Sequence, residues 1–255
     1  MASQNGIGNR VTNNDFEVTQ LDPAGNAYMS VGNISQVPSS NAVLEAYVQA
    51  ETSGDPYVNL FIVGGKEWSM GLDNSDSNAF VIAASGSLGT TNIMRSSVSG
   101  EINYPLQPSF CATLSAGILN VTGDGTNYTI PFNQTFFDQG GDFNTGTGVF
   151  TAPITGRYPL FYNCWVQPFA SNQTLLEMYI NTSNRAYICV QLNPYIVQSM
   201  GIGSSVGDMI AVNADMDAGD TAFCVVGVYG GSKTVDIVGN DSGSPRTNFS
   251  GFLQA

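Results

Sequence analysis

The sequence contains no histidine, and this absence excludes several kinds of site. Hydrolases of the Ser–His–Asp and Cys–His types need an imidazole as their general base. Histidine-ligated zinc sites and histidine-based pH switches need the same side chain. None of these chemistries is therefore open to this chain.

Positive charge is also scarce. The 255 residues include 7 Lys and Arg against 20 Asp and Glu, which gives a net charge of −13. The basic residues are scattered, whereas a nucleic-acid surface needs Lys and Arg in clusters. We therefore expect no nucleic-acid binding. The acidity indicates a soluble chain whose copies repel one another.

Long apolar runs are missing as well. No run approaches the roughly 18 residues of a membrane span, so we expect no membrane insertion. The first ten residues, MASQNGIGNR, have no apolar segment of the kind found in secretory signals. We expect a chain that either is not secreted by that route or is already mature.

Cysteine is infrequent, and no two cysteines form a CxxC pair of the kind used for zinc or redox work. Cys111, Cys164, Cys189 and Cys224 each stand in an apolar or strand-like context. We expect them to be small buried hydrophobic residues. Disulfides stay possible, and four cysteines allow three pairings.

Turn-forming residues are abundant. The chain has 29 Gly and 11 Pro, with 42% hydrophobic and 11% charged residues. No segment has apolar residues at sustained helical spacing together with capping residues at its ends. This profile predicts an all-β, turn-rich fold with enough apolar residues for a core.

The clearest strand lies within Thr145–Val166, TGTGVFTAPITGRYPLFYNCWV. From Tyr158 onward, every second residue can lie on one face of a strand. The interleaved residues include Phe161 and Trp165, so both faces are largely apolar. Such a strand needs cover on both faces, from another sheet or from another subunit.

Changes in composition divide the chain into four segments. Residues 1–40 are polar and rich in turns, and we interpret them as an extended arm that becomes ordered on a partner. Residues 41–104 contain short strands and tight turns, which indicate a β-rich stem. Residues 105–108, with two prolines, are the predicted linker. Residues 109–255 form one β domain, the predicted head.

Five short strands are predicted in the stem: Val43–Gln49, Tyr57–Val63, Trp68–Leu72, Phe80–Ala84 and Ile93–Val98. One ribbon of such strands buries too little surface to be stable alone. We therefore expect an intertwined trimeric stem. A small monomeric meander is the alternative.

About 50 residues of the stem resemble a module that is common in bacteriophage tail and head fibres. The resemblance rests on Gly54-Asp55-Pro56-Tyr57, on Trp68-Ser69-Met70-Gly71-Leu72-Asp73-Asn74-Ser75-Asp76 and on Leu88-Gly89-Thr90-Thr91-Asn92. It implies a viral fibre component with a β-rich stem.

The head is predicted to be a sandwich or jelly roll with eight to ten short strands. The predicted strands are Phe110–Leu114, Ile118–Thr122, Tyr128–Phe132, Val149–Ala152, Gly156–Gln167, Leu175–Asn181, Arg185–Gln191, a strand within Asn193–Ser204, Asp208–Ala214, Thr221–Tyr229 and Asn248–Gln254. Turn residues at 123–126 and 182–184 predict two hairpins.

The head resembles the C1q-like domain of the C1q/tumour-necrosis-factor jelly-roll superfamily. The matching residues, in order, are Ser109-Phe110, Ile130-Pro131-Phe132, Phe143, Thr147-Gly148, Phe150-Thr151-Ala152-Pro153, Thr155-Gly156, Tyr158, Asp217-Ala218-Gly219-Asp220 and Asn248-Phe249-Ser250-Gly251-Phe252-Leu253. Pro159 departs from the Phe that is frequent in the family, and no collagen repeat precedes the domain.

This second resemblance implies a ten-stranded jelly roll and a tight homotrimer with an apolar three-fold axis. Apolar strands such as Thr221–Tyr229 also call for a partner subunit on one face. The residues expected in the core or at the trimer interface are Phe150, Tyr158, Leu160, Tyr162, Phe223, Val225, Phe249 and Phe252.

Three acidic residues are weak candidates for calcium ligands. Asp215, Asp217 and Asp220 lie in VNADMDAGD, whose spacing superficially resembles a calcium loop but lacks the Gly and Glu of an EF-hand. A solvated acidic loop is the alternative. For Asp73 and Asp76 we expect the capping of a turn rather than cation binding. We expect no cofactor.

A polysaccharide-degrading enzyme is the main catalytic alternative. Glycosidases use two carboxylates on either side of a cleft. The head has a single glutamate, Glu177, and its aspartates fall mostly in turns. We therefore expect a non-enzymatic protein with no catalytic residue.

Together these patterns predict a virion-located, homotrimeric fibre protein. Its arm would attach to a capsid or tail protein, and its head would bind a glycan or protein on the host surface. Polar loops at 167–173, 182–187 and 238–247 are candidates for recognition. A mainly structural capsid decoration protein and a soluble C1q-like ligand are the non-enzymatic alternatives.

Overall fold

The computed structural model describes residues 44–199, 204–241 and 243–254. The chain divides into one unit at Met1–Pro56 and a second at Tyr57–Ala255. The first unit is largely outside the described residues, and the predicted arm, residues 1–40, lies wholly outside them. All of the strands below belong to the second unit.

The described residues before the linker form one antiparallel sheet, whose order follows the chain. Its strands are β1 (Tyr57–Phe61), β2 (Glu67–Asp73), β3 (Ala79–Ala83), β4 (Asn92–Ser96) and β5 (Ile102–Asn103). A short 3-10 turn, Asn74–Asp76, joins β2 to β3. Each strand pairs with the next one within the same chain.

The head begins after the linker. Its strands are β6 (Ser109–Thr113), β7 (Ile118–Thr122), β8 (Asn127–Thr129), β9 (Gln134–Gln139), β10 (Phe143–Asn144), β11 (Val149–Thr151), β12 (Gly156–Gln167), β13 (Leu175–Thr182), β14 (Ala186–Leu192), β15 (Val206–Met216), β16 (Thr221–Tyr229), β17 (Val235–Ile237), β18 (Asn240–Asp241), β19 (Ser244–Pro245) and β20 (Asn248–Phe252). A short helix, α1, spans Pro194–Ser199.

Two sheets make up the head. One has the order β10-β11-β16-β13-β14, with β8 also paired to β16. The other has the order β7-β17-β12-β20-β6-β9. In it, β20 and β17 pair with successive parts of one edge of β12, and β15 pairs with the opposite edge. The strands β18 and β19 form a separate small ribbon. The hydrophobic core contains residues from both sheets.

The alternation predicted for β12 is present. Its buried residues are Tyr158, Leu160, Tyr162, Cys164 and Val166, each with 0% exposure. Around this strand the core is aromatic: the rings of Phe110 and Phe150 stack with centroids 4.6 Å apart, and Phe249 meets Phe110 edge-on at 5.0 Å. The all-β prediction is confirmed, as are the bounds of β7, β12 and β16.

One of the two predicted hairpins is wrong. The turn at 182–184 does join β13 to β14, but β7 and β8 pair with β17 and β16 in opposite sheets. The amides of Gly123 and Gly125 both donate to the carbonyl of Val228, at 3.1 and 2.9 Å. A Cβ on Gly123 would lie 2.0 Å from the Ser232 carbonyl. This glycine-rich segment therefore crosses between sheets.

Two predicted strands are also wrong. Val43 of the predicted strand Val43–Gln49 lies outside the described residues, and residues 44–49 form no strand and pair with none of the described strands. Within the predicted strand 193–204, Pro194–Ser199 is helical. Asn193 Oδ1 accepts from the Tyr195 amide at 3.0 Å, and proline fits the first position of a helix.

No helix among the described residues is long and apolar enough to cross a membrane.

The cysteines are free and all lie on strands. Cys164 and Cys224 are buried, as expected, and Cys111 is half-buried. The expected burial is wrong for Cys189, which is exposed where a bulge shifts the register between β13 and β14. Burial raises the pKa of Cys164 to about 12, and it raises the pKa of Cys224 well above its usual value.

A matched pair of isoleucines tests the position of the core. Ile180 on β13 has 0% exposure, whereas Ile188 on the neighbouring β14 has 54%. We expect Ile180→Ala to lower the free energy of unfolding by about 2–5 kcal/mol. Ile188→Ala should change it by roughly 0.5 kcal/mol or less. Denaturant titration of the two variants measures this, and equal losses would contradict the assigned core.

Thiol labelling tests the placement of the cysteines. The thiolate is the form of cysteine that reacts with a thiol reagent, so burial and a raised pKa both slow the reaction. In the native protein at neutral pH we expect Cys189 to be modified first. Cys164 and Cys224 should react only after denaturation. Peptide mass mapping identifies the modified sites, and rapid native labelling of Cys164 would refute the placement.

Candidate assembly and recognition sites

The outward surface of β12 is the main apolar surface that we identify on the head. We call it the head outer face and define it by Pro159, Phe161, Ala211 and Phe252. The register places Phe161 opposite Ala211 of β15 and opposite Ser250 of β20. Phe161 and Phe252 stack with their ring centroids 6.4 Å apart. Phe252 is 44% exposed.

Two grooves lie along this face. The first, of about 420 Å³, is lined by the four residues of the face together with Val212, Asn213 and Gln254. The second, of about 470 Å³, is lined by Tyr104, Gln107, Phe252, Leu253 and Gln254. Neither lining contains a charged side chain. In a chain with a net charge of −13, this makes the face unlike the surface as a whole.

The residues predicted for the core or the trimer interface separate into three groups. Five of them lie inside the sandwich: Phe150, Tyr158, Leu160, Tyr162 and Phe249. On β16 the core residues are Ala222, Cys224, Val226 and Val228, so the alternation directs Val225 and half-buried Phe223 to the other face. Phe252 belongs to the head outer face.

Sequence reasoning missed Pro159 and Ala211 as members of this face. The alternation along β12 already placed Phe161 on its second face, but alternation alone does not show which strands lie beside β12. The pairing of β12 with β15 and β20 decides which residues join Phe161.

The far end of β12 has a different surface. The Arg246 guanidinium lies 4.8 Å from the centre of the Trp165 ring. The ring covers Gly207 of β15, where a Cβ would lie 2.7 Å from it. The backbone amide of Trp165 donates to Thr247 Oγ1 at 3.1 Å. These contacts fix the loop after β19 against the strand.

The candidate calcium ligands do not converge. Arg185 Nη2 donates to Asp215 Oδ2 at 2.9 Å. Asp220 Oδ2 accepts from Asn184 Nδ2 at 2.7 Å and from the Asp217 amide at 2.8 Å, and these bonds lower the pKa of Asp220. Among the described residues, no group of three or more His, Cys, Asp or Glu side chains is placed to hold a metal ion.

The prediction for Asp73 is confirmed. Asp73 caps the 3-10 turn, because Oδ1 accepts from the Asp76 amide at 3.1 Å and from Ser75 Oγ at 2.6 Å. Asp76 instead pairs with the Arg95 guanidinium, with Nη2 and Oδ1 at 2.8 Å. This hydrogen bond lowers the pKa of the Asp76 carboxyl.

The recognition loops differ in how much of them reaches the surface. In the 167–173 loop, Phe169 and Gln173 are buried, and Gln173 Oε1 accepts from the Ala170 amide at 2.8 Å. In the 182–187 loop, Ser183, Asn184, Arg185 and Ala186 are exposed. The exposed polar side chains are Gln167, Ser171 and Asn172 in the first loop, and Ser183, Asn184 and Arg185 in the second.

Glu177, the acidic residue that the glycosidase alternative depends on, stands on β13. Its Oε1 accepts from Gln191 Nε2 at 2.6 Å. The hydroxyl of Tyr229 is a second neighbour, and the pKa of Tyr229 is raised by burial and by Glu177. The identified neighbours of Glu177 are thus an amide and a phenol, and neither supplies the second carboxylate of a glycosidase.

Comparison with known proteins gives one family match and several structural likenesses. The globular domain of zebrafish complement 1qA has 15% identity and a TM-score of 0.37, over 58% of this chain and 98% of that one. Murine APRIL has 11% identity and a TM-score of 0.38, over 58% and 99%. No curated protein matches the sequence.

The C1q domain matches residues 110–254, more than half of the chain. Domains of the C1q and tumour-necrosis-factor type are generally non-enzymatic binding domains and commonly form homotrimers. The jelly-roll sandwich described above is the fold of that group. This chain therefore belongs to the C1q domain family.

Proposed function

We propose that this chain is the subunit of a homotrimeric viral fibre of the bacteriophage type. Its arm, residues 1–40, attaches the fibre to a capsid or tail protein of the virion. Its C1q-type head binds a receptor on the host-cell surface. The observation that carries the proposal is the charge-free head outer face on a domain whose family commonly forms homotrimers.

The composition of the face favours a second copy of the chain as its cover. Copies with a net charge of −13 repel one another at long range. A contact made by Pro159, Phe161 and Phe252 adds no like-charge pair at close range. It also removes apolar surface from water, which is favourable by about 25 cal/mol per Å².

The amino-acid sequence of the stem supports the viral context. The Gly-Asp-Pro-Tyr start and the Trp-Ser-Met-Gly-Leu-Asp-Asn-Ser-Asp centre resemble modules of phage fibres. In a fibre, a stem spaces the head from the virion. Three heads on one stem would give avidity to individually weak receptor contacts.

The 182–187 loop is the part of the head that we assign to receptor binding. It joins β13 to β14, in the sheet that does not contain β12. Asn184 and Arg185 are exposed there, and the ion pair between Arg185 and Asp215 is exposed too. Exposed pairs of this kind contribute little to stability, so the loop can exchange them for ligand contacts.

Sedimentation equilibrium tests the assembly. The native protein should have the mass of three 26.9 kDa chains, about 81 kDa. Phe252→Glu places a charge in the head outer face and should give a folded 26.9 kDa monomer. Ile188→Glu is the control, because Ile188 is also exposed but lies in the other sheet. A native protein that stays monomeric at micromolar concentration would refute the trimer.

Competition for adsorption tests the receptor role. Added full-length protein should block adsorption of the virus that carries this chain. Arg185→Ala should weaken the block several-fold while the trimer is kept. Lys233→Ala removes an exposed positive charge elsewhere and should leave the block unchanged. If the protein is found on virions but does not compete, a capsid decoration role is favoured instead.

A further inference from the structure

The sheet before the linker has one face whose large apolar side chains are exposed. Partners in the β1–β2 and β2–β3 registers share a face: Val58 lies opposite Met70, Leu60 opposite Trp68, and Leu72 opposite Phe80. We call these six residues the stem apolar face. Their exposed fractions run from 38% for Met70 to 55% for Leu60.

Around β3, the opposite face of the same sheet is covered by its own chain. Ala79, Val81 and Ala83 have 0% exposure and cluster with Leu88 from the following loop. Ser69 Oγ donates to the Ser85 carbonyl at 2.8 Å, which holds that loop on the sheet. A sheet of this size needs apolar cover to be stable, and the loop supplies it on one side only.

The distribution of charge indicates what covers the other side. The charged residues of the strands, Glu67, Asp73 and Arg95, pair with Phe61, Ala79 and Val81 on the loop-covered face. The stem apolar face has no charged residue. The face therefore offers no charge to a partner that binds through ion pairs. For a second copy of the chain, which is repelled by the net charge of −13, a surface without charges is the least repulsive place to make contact.

The size of the face indicates how such copies are held together. Six side chains, each with on the order of 200 Å² of surface and exposed by about two-fifths to a half, present roughly 500 Å². A stable two-partner interface buries about 800 Å² on each partner. The face is therefore too small to assemble the chain by itself. It suffices when another contact has already brought the copies together.

We propose that the stem apolar faces of three copies pack against one another inside the trimer. This inference rests on the proposed head trimer, which raises the local concentration of the sheets. Each sheet stays a meander of its own chain, with consecutive strands paired, and contributes a face rather than exchanging strands. The stem is then a second, dependent assembly surface.

Trp68 reports directly on this contact. A Trp165→Phe background leaves Trp68 as the only tryptophan, since the chain has two. In the full-length trimer we expect the emission of Trp68 to be blue, as for a buried indole. Leu60→Glu should shift it to the red while the trimeric mass is kept. Phe61→Glu is the matched control: Phe61 is the next residue of β1, is 62% exposed and faces the other way.

The Phe252→Glu variant shows what covers the stem apolar face. In a monomeric Phe252→Glu protein, Trp68 should be as red as in Leu60→Glu. If Trp68 stays blue in that monomer, the cover comes from the chain itself and the inference is overturned. Red emission in the parent trimer overturns it too.

The two proposals can fail separately. If Phe252→Glu remains trimeric, the assigned head interface is wrong, and the response of Trp68 to Leu60→Glu still decides the stem contact. Should Leu60→Glu aggregate, Met70→Gln tests the same face with a neutral substitution.

Discussion

The pairing of β12 on both of its sides is the interaction on which the head depends. One side carries β15 along its whole length, and the other carries β20 and β17 in succession. The inward residues of this strand contribute much of the buried core, including Tyr158 and Tyr162. Without its two sets of neighbours, neither the core nor the head outer face would form.

The same strand contributes residues both to the core and to the head outer face. Residues of β12 alternate between a core that a single chain completes and an outer face that it leaves open. Leu160 is buried within the chain, whereas its neighbour Phe161 belongs to the outer face. The pairing with β20 explains why Phe252 is part of that face.

The sequence predicted the features that depend on local periodicity. The alternation of β12, the bounds of β7 and β16, and the turn at 182–184 all follow from residues that are close in the chain. The capping role of Asp73 follows in the same way, since its partners Ser75 and Asp76 are two and three residues away.

Periodicity did not predict which strands are neighbours. The strands around Gly123 looked like a hairpin, but β7 pairs with β17 and β8 pairs with β16, both more than 90 positions further along the chain. For the same reason the sequence named Phe252 but not Pro159 or Ala211. The helix after Asn193 was missed because its signal, an Asn-Pro start, stands in a segment that is otherwise rich in strand-forming residues.

The absence of charge from both outer faces has a consequence for ionic strength. Contacts made by ion pairs weaken when salt is added, because salt screens their attraction. Between copies of this chain, the net charge of −13 gives a long-range repulsion. Salt screens that repulsion and leaves the apolar contacts in place. The assembly that we propose through these faces is therefore favoured at high ionic strength and is weakest at low ionic strength.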